Sequence, residues 1–367
     1  MAKIKVGKMK IEQIDANFST SSAITKEGKS FYQIPHPSFA LYGVFYDEKK
    51  GFLRMDYDLA FQISEGVRSL TTFTAGGRLR FKTDSLSLGI SVAYASLCKM
   101  SHMSLTNMGF SLFEVVDGVE KFVGIMPPKF TDENGYEATL SLKGGKMREY
   151  ILYFPNYNEV ASLSIVLDET AHVEQGTPYR NVKPILYYGS SITQGGCACR
   201  PDNAYESLIC RWNHVDFMNL GFSGSARGET LMAEYLSALD CSLFVCDYDH
   251  NAYDRDGRAQ GTLLRETHFR LYEIFRKKQK ETPILFLSRP DAEGDEGGIR
   301  RDIIFESYQK AKALGDNHVY FLDGAELFGN EDRISCTVDG CHPNDLGFYR
   351  MAKRIYEKLK EIDGIFA

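Results

Sequence analysis

Between residues 184 and 365 five short apolar runs, "PILYYG", "VDFMNLGFSG", "CSLFVCDYD", "PILFLS" and "VYFLDG", alternate with stretches of helical periodicity. No other feature limits the folds open to this chain so strongly. "GTLLRETHFRLYEIFRKKQKE" carries Leu264, His268, Leu271 and Phe275 at helical spacing, and the last helix presents Phe348, Met351, Ile355, Leu359 and Ile362 on one face. The helix after the first run is expected to start at Asn203, with Glu206 three residues on as a capping box. Alternation of this kind predicts a parallel sheet covered by helices on both faces, with ligands gathering at the carboxyl ends of the strands.

Up to about residue 170 the rhythm differs. Short β-rich segments such as "SFALYGVFYDEKKGFLRMDYD" and "RLRFKTDSLSLGISVAYASL" are punctuated by turns at Asp117-Gly118, Asn134-Gly135 and Gly144-Gly145, with few helical stretches. This predicts an antiparallel sandwich, possible in jelly-roll form. The polar, turn-rich stretch from Glu169 to Pro184 reads as a linker, and 367 residues are ample for two cores. The expected domains are 1–175 and 176–367.

A net charge of -6 with scattered Lys and Arg offers no footprint for nucleic acid or an anionic membrane, so small or neutral substrates fit better. The N-terminus has basic residues but no apolar stretch behind them, so no signal peptide is read. The chain as written is expected to be cytoplasmic, and periplasmic or secreted if a leader has been removed. Of eight cysteines, Cys98, Cys210, Cys241, Cys246 and Cys336 sit in or beside apolar runs, as core thiols do. Cys197, Cys199, Cys336 and Cys341 are the set able to converge; whether they pair stays open, and their spacing matches no familiar zinc pattern, so no metal is expected.

Four segments stand at or just beyond predicted strand ends: "GSSITQG", "GFSGSARGE", "DYDHNAYD" and "TVDGCHPND". A parallel sheet puts all four on one rim. A serine hydroxyl needs a base to take its proton and donors to hold the oxyanion it creates, and these loops contain each part. Ser190 and Ser191 supply hydroxyls that otherwise serve as helix caps. His342 is the natural base, with Asp339 three residues earlier to orient it and Pro343 and Asn344 fixing the chain at the last helix. Gly224 can present a backbone N–H, and Asn251 a side-chain amide, to the same oxygen; a plain turn is the alternative for both. His250 is a rival base, with Asp249 and Asp254 near it in sequence.

These segments resemble, in order, the four blocks of the SGNH (GDSL-type) hydrolase superfamily, serine esterases and acyltransferases on a flavodoxin-like three-layer α/β/α sandwich. Gly189-Ser190-Ser191-Ile192-Thr193-Gln194-Gly195 corresponds to its first block, which makes Ser191 the nucleophile. The block-two glycine falls on Gly224, the block-three asparagine on Asn251 and the D-x-x-H block on Asp339 and His342. Ser190 replaces the usual Asp, removing a carboxylate that normally steadies the loop, and "DYDHNAYD" departs from G-x-N-D. "GFSLF" at Gly109 to Phe113 is similar to the G-x-D-L-Y signature of a β-sandwich domain preceding some bacterial members. The resemblance implies a two-domain esterase with Ser191, His342 and Asp339 catalytic, and Ser191, Gly224 and Asn251 as oxyanion donors. It needs no cofactor; short acyl, foremost acetyl, esters of a carbohydrate or polyol are the expected substrates. Tyr188, Tyr205, Tyr248 and Tyr253, near the rim, suit stacking on a sugar, although tyrosines beside strands more often pack in the core. An acyltransferase on the same residues and a non-catalytic carbohydrate-binding protein are the alternatives; oligomeric state stays open.

Overall fold

In the computed structural model, which describes residues 11–18, 22–181, 183–254, 258–290 and 298–366, the five apolar runs form one parallel sheet. Its strands are β1 (Ile185–Gly189), β2 (Phe217–Gly221), β3 (Leu243–Asp247), β4 (Ile284–Leu287) and β5 (Val319–Leu322). Their spatial order is 2-1-3-4-5, so successive connections run to opposite sides of β1 and open a crevice at its carboxyl end. Side chains alternate between two apolar layers. Leu186 and Tyr188 pack with Phe244 and Phe286 beneath α2 (Thr230–Ala238), α3 (Thr262–Lys278) and α4 (Gly298–Ala313), while Ile185 and Tyr187 pack with Val245 and Leu285 beneath α1 (Tyr205–Asn213) and α5 (Asp345–Leu359). Burial of each such Leu or Phe contributes about 1.5–3 kcal/mol.

The expected capping box does not form. α1 begins after a short 3₁₀ turn, Pro201–Asn203, and its N-cap is Ala204, which has no side-chain acceptor. Asn203 instead donates to Asp345 on α5 at 3.0 Å. Glu206 turns inward, fully buried, and accepts from Asn219 at 2.5 Å. Burial pushes its carboxyl well above the ordinary carboxylate range, because the interior penalises the charged form.

Beside a two-stranded sheet, Phe45–Asp47 with Gly51–Leu53, the first half forms two large antiparallel sheets. One has the strand order Lys29–Ile34, Ser162–Asp168, Ser87–Ala93, Gly135–Ser141; the other runs Val173–Gln175, Arg78–Thr83, Arg148–Tyr153, Phe110–Val116, Val119–Met126, with Ala40–Tyr42 also pairing with Arg78–Thr83. Leu88, Ile90, Leu163 and Ile165 of the first meet Leu79, Phe81, Leu112 and Leu152 of the second in one apolar core. The Asp117-Gly118 pair, both at positive φ, closes the hairpin between the last two strands of the second sheet. Two helices that the β-rich reading did not foresee, Tyr57–Ile63 and Glu65–Thr71, start at Asp56 and Ser64, whose side chains accept from Leu59 N and Val67 N.

Strand alternation alone would leave Arg78 and Arg80 in water, yet they are 1% and 0% exposed. Their face of the sheet packs on the parallel-sheet half. The Arg78 guanidinium pairs with Asp216, donates to the Phe217 carbonyl at 2.9 Å and lies 3.8 Å from the centre of the Phe217 ring. Arg54, also buried, donates to the Gly221 carbonyl at 2.6 Å and the Asn219 carbonyl at 3.1 Å at the end of β2, and to Leu70 and Phe73 of its own half. Residues 1–10, on which the reading of the leader rests, lie outside the described residues. No helix among the described residues is long and apolar enough to cross a membrane.

Candidate active site

The chain leaves β1 through Gly189, where a Cβ would meet Thr193 Oγ1 at 1.9 Å and the Asp247 carbonyl at 2.4 Å. Only glycine lets the following turn fold back this tightly. Ser191 lies in that turn, 5% exposed, at the crevice opened by the strand order. The hydroxyl of Ser190, where the resemblance leads one to expect Asp, accepts from Ile192 N at 3.2 Å, so a serine oxygen takes over the local bracing of the loop. The rest comes from the antiparallel half. Tyr157 donates to the Ser191 carbonyl at 3.1 Å, Asn107 to the Gly195 carbonyl at 3.0 Å, and Gln194 to the Asn156 carbonyl at 3.3 Å. All three of these donors are buried.

His342 arrives from the other end of the sequence. Asp339 folds back on it, accepting from His342 N at 2.7 Å through one oxygen and facing the ring Nδ1 at 2.8 Å through the other. Asn344 caps α5, accepting from Gly347 N at 3.1 Å, as its position before the last helix suggested. The second ring nitrogen, Nε2, stands 2.9 Å from Ser191 Oγ. With Nδ1–H directed at the carboxylate, Nε2 carries the lone pair and the serine O–H is the donor. Hydrogen bonding to the neighbouring Cys341, opposed by burial and supported by Asp339, raises the imidazole to about 9. Burial pushes the Asp339 carboxyl up, but the hydrogen bonds from the His342 backbone and ring outweigh it and the group lies below its ordinary value.

Gly224 has φ +67° with open space where a Cβ would point, and Asn251, 3% exposed, donates through its side chain to the Phe222 carbonyl at 2.9 Å. That bond ties the end of the β3 loop to the Gly224 loop. Gln194 does the same from the serine turn, accepting from Ser223 N at 3.0 Å. Among the described residues no acceptor is bonded to the backbone N–H of Ser191 or of Gly224. His250, the rival base, lies against Cys341 Sγ at 3.0 Å rather than against a serine. Burial drives its pKa down to about 4, and the nearby carboxylates are committed elsewhere, Asp249 to Arg289 N and Asp254 to the start of α3.

Of the two readings of the tyrosines near the rim, packing holds for three. Tyr188, Tyr205 and Tyr248 are at most 1% exposed and belong to the two apolar layers of the sheet; Tyr188 and Tyr248 from strand ends and Tyr205 from the start of α1 are buried in the core, not laid over the rim. Their hydroxyls are used internally, by Gly228 N, Asp247 and Thr267. Tyr253 is half-buried. All eight cysteines are free thiols, so no disulfide links Cys197, Cys199, Cys336 and Cys341. Two groups able to hold a metal ion cluster at the site: His102, Cys197 and His342, and Asp339, Cys341 and His342. Asn107, Asn156, Tyr157 and His102 escaped sequence reasoning, because nothing in the β-rich half marks a residue that faces the other half. The only hint is the polar "NYN" at Asn156 to Asn158 directly after an apolar strand.

Two family models match the chain, one over each half. Residues 182–360 match the GDSL-like lipase/acylhydrolase family, and residues 29–173 match the GxDLY region, the N-terminus of SGNH-hydrolase-type esterases. No curated protein matches the sequence to a comparable degree. Among solved structures, a protein described as a GDSL-like lipase from Bacteroides ovatus superposes with a TM-score of 0.80 at 26% identity, covering 91% of this chain and 98% of the other. A salicylyl-acyltransferase from a tetracycline biosynthetic pathway gives 0.76 at 18% identity, covering 93% and 99%. A family two carbohydrate esterase from Clostridium thermocellum, in complex with cellohexaose, gives 0.59 at 15% identity, covering 78% and 92%. Matched over both halves in chain order, the chain belongs to the SGNH (GDSL-type) hydrolases, with a GxDLY-type N-terminal region.

Proposed function

We propose that this hydrolase is a serine esterase that removes short acyl groups, acetyl foremost, from a carbohydrate or polyol, residues 176–367 carrying the chemistry and residues 1–175 walling the site. The observation that carries the reading is the continuous relay from Ser191 Oγ to His342 Nε2 at 2.9 Å and from His342 Nδ1 to Asp339 at 2.8 Å. Ser191 Oγ attacks the ester carbonyl carbon while its proton passes to His342 Nε2, and Asp339 stabilises the imidazolium. The N–H groups of Ser191 and Gly224, with the second amide proton of Asn251, hold the oxyanion. His342 then returns its proton to the departing alcohol, and water, deprotonated by the same nitrogen, releases the acid. The fold neighbour solved with cellohexaose makes an acetylated sugar the first substrate to try.

Ser191→Ala is expected to lower hydrolysis of p-nitrophenyl acetate by about 10⁴-fold or more, and Ser190→Ala by no more than about tenfold. Retention of near-normal rates by Ser191→Ala, with loss in Ser190→Ala, would shift the nucleophile by one residue. A second reading, transfer of the acyl group to another alcohol, is favoured by the burial of Ser191 at 5% exposure, which limits water at the acyl-enzyme. Release of free acid that falls as a sugar or polyol acceptor is added, with matching formation of a new ester, would select it.

A further inference from the structure

The loop that carries Ser191 runs on into a residue for which the esterase reading has no use. Cys197 holds a left-handed backbone with φ +70°, a conformation that costs a residue bearing a Cβ about 1 kcal/mol and that glycine would adopt freely. Its side chain is 7% exposed. Its Sγ, a ring nitrogen of His102 and a ring nitrogen of His342 all lie within 4.8 Å of one another. His102 is an exposed residue of the antiparallel half, and its ring centre is 6.2 Å from that of His342. One thiol and two imidazoles thus converge from three remote parts of the chain on the mouth of the site.

Sulfur and imidazole nitrogen together suit Zn²⁺ and similar borderline-soft cations. Bond lengths of about 2.3 Å to sulfur and about 2.0 Å to nitrogen require donors roughly 3.5 Å apart, a closure that rotation of the exposed His102 side chain can supply. His342 is already set as a ligand. Its Nδ1 faces Asp339 at 2.8 Å, the carboxylate–imidazole arrangement that fixes the tautomer of metal-bound histidines and raises their basicity. The lone pair left at Nε2 is the one that accepts the Ser191 proton, so cation and serine compete for it.

We infer that Cys197, His102 and His342 form an inhibitory site for Zn²⁺ or a cation of the same class, which shuts the enzyme off by taking the base away from Ser191. The inference rests on the reading of His342 as that base. On binding at neutral pH, the thiol and the His342 imidazolium each release a proton to solvent, sulfur and two nitrogens donate lone pairs to the cation, a water completes the tetrahedron, and the Ser191–His342 hydrogen bond is lost. Nothing is oxidised or reduced.

The test uses the purified full chain after chelator treatment, with Co²⁺ as spectroscopic probe and Zn²⁺ as inhibitor. One equivalent of Co²⁺ is expected to give thiolate-to-cobalt charge transfer and the intense visible bands of a tetrahedral site, and both should vanish in Cys197→Ser and persist in Cys341→Ser. Micromolar Zn²⁺ is expected to stop ester hydrolysis reversibly, and Cys197→Ser and His102→Ala should each raise the half-inhibiting concentration about 10- to 100-fold, every variant compared with its own metal-free rate. Zn²⁺ inhibition that is absent, or equal in all variants, would overturn the inference, as would a cobalt band that depends on Cys341 instead of Cys197. A Cys197-dependent band in a protein that hydrolyses no ester even without metal would sink the esterase reading and leave the metal site standing. An active esterase with no band would do the reverse.

Discussion

The Tyr157 hydroxyl donates a hydrogen bond to the Ser191 carbonyl at 3.1 Å, across the boundary between the antiparallel and parallel halves. Tyr157 is 3% exposed and packs in the core of its own half, so the turn that bears Ser191 is referenced to that core. Tyr157 touches no reacting atom and is a positioning residue. Tyr157→Phe keeps the ring and deletes the one donor; it is expected to lower kcat about tenfold with little change in KM, and to reduce stability by about 1 kcal/mol. Steady-state kinetics beside a denaturant titration check it: an equal fall in stability with unchanged kcat would make the bond purely structural.

Removing the Asn251 amide is expected to act on the transition state. Asn251→Ala should lower kcat about 10²- to 10³-fold, the range for loss of one oxyanion donor, with KM nearly unchanged. The variant also deletes the 2.9 Å bond to the Phe222 carbonyl, which keeps Ser225 N and Ala226 N as donors, and so adds a stability loss of about 0.5–1.5 kcal/mol. If kcat follows only the fraction folded, Asn251 is a brace and not a donor.

With His342 as the proposed base, the pH profile of the reaction is expected to carry the signature of Cys341. A base held at about 9, chiefly by hydrogen bonding to Cys341 against the pull of burial, is protonated at neutral pH and must lose that proton before it can accept one from Ser191. kcat/KM should therefore rise through neutral pH and level off only above about 9. In Cys341→Ser the rising limb should move to lower pH, toward ordinary imidazole values. Identical profiles for the two proteins would show that the thiol leaves the base untouched.

Glu206 gives a stability test with a definite sign. Its folded pKa is raised by burial, so the unfolded chain ionises first, and the stability present below the ordinary carboxylate value is lost as pH rises toward the shifted one. The loss amounts to about 1.4 kcal/mol per pH unit across that window. Glu206→Gln, which keeps a hydrogen-bonding head of the same size without the charge, should flatten this slope and gain on the wild type as pH rises. Denaturant midpoints taken at several pH values decide it; parallel curves would mean Glu206 is not the titrating group.

The elements legible in the sequence were those whose signals are local. The five parallel strands are apolar runs bounded by polar loops, the turn at Asp117-Gly118 is written in two adjacent residues, and the motifs around Ser191 and His342 stand at strand or helix ends. The two residues lie far apart in the chain, yet the parallel alternation alone is enough to put their loops on one rim. What was not legible depends on contacts between the halves. Arg78 and Arg80 have the pattern of solvent-facing residues, and only the docking of the second half buries them. Glu206 stands where a capping residue would, and the pull of Asn219 from the sheet interior cannot be read from its neighbours in sequence. Tyr188 and Tyr248 stand at strand ends, where the sequence allows both stacking at the rim and packing, and the fold places them in the core.

The buried Arg54 spans the two halves, with two of its partner carbonyls at the tip of β2 and two in its own half. Evolution cannot treat the halves as interchangeable parts: a gene fusion that supplied a different sandwich would strand those carbonyls and, with Asn107 and Tyr157 gone, unfasten the serine turn as well. The pairing must descend together, and lineages that exchanged one partner would have had to reinvent this seam.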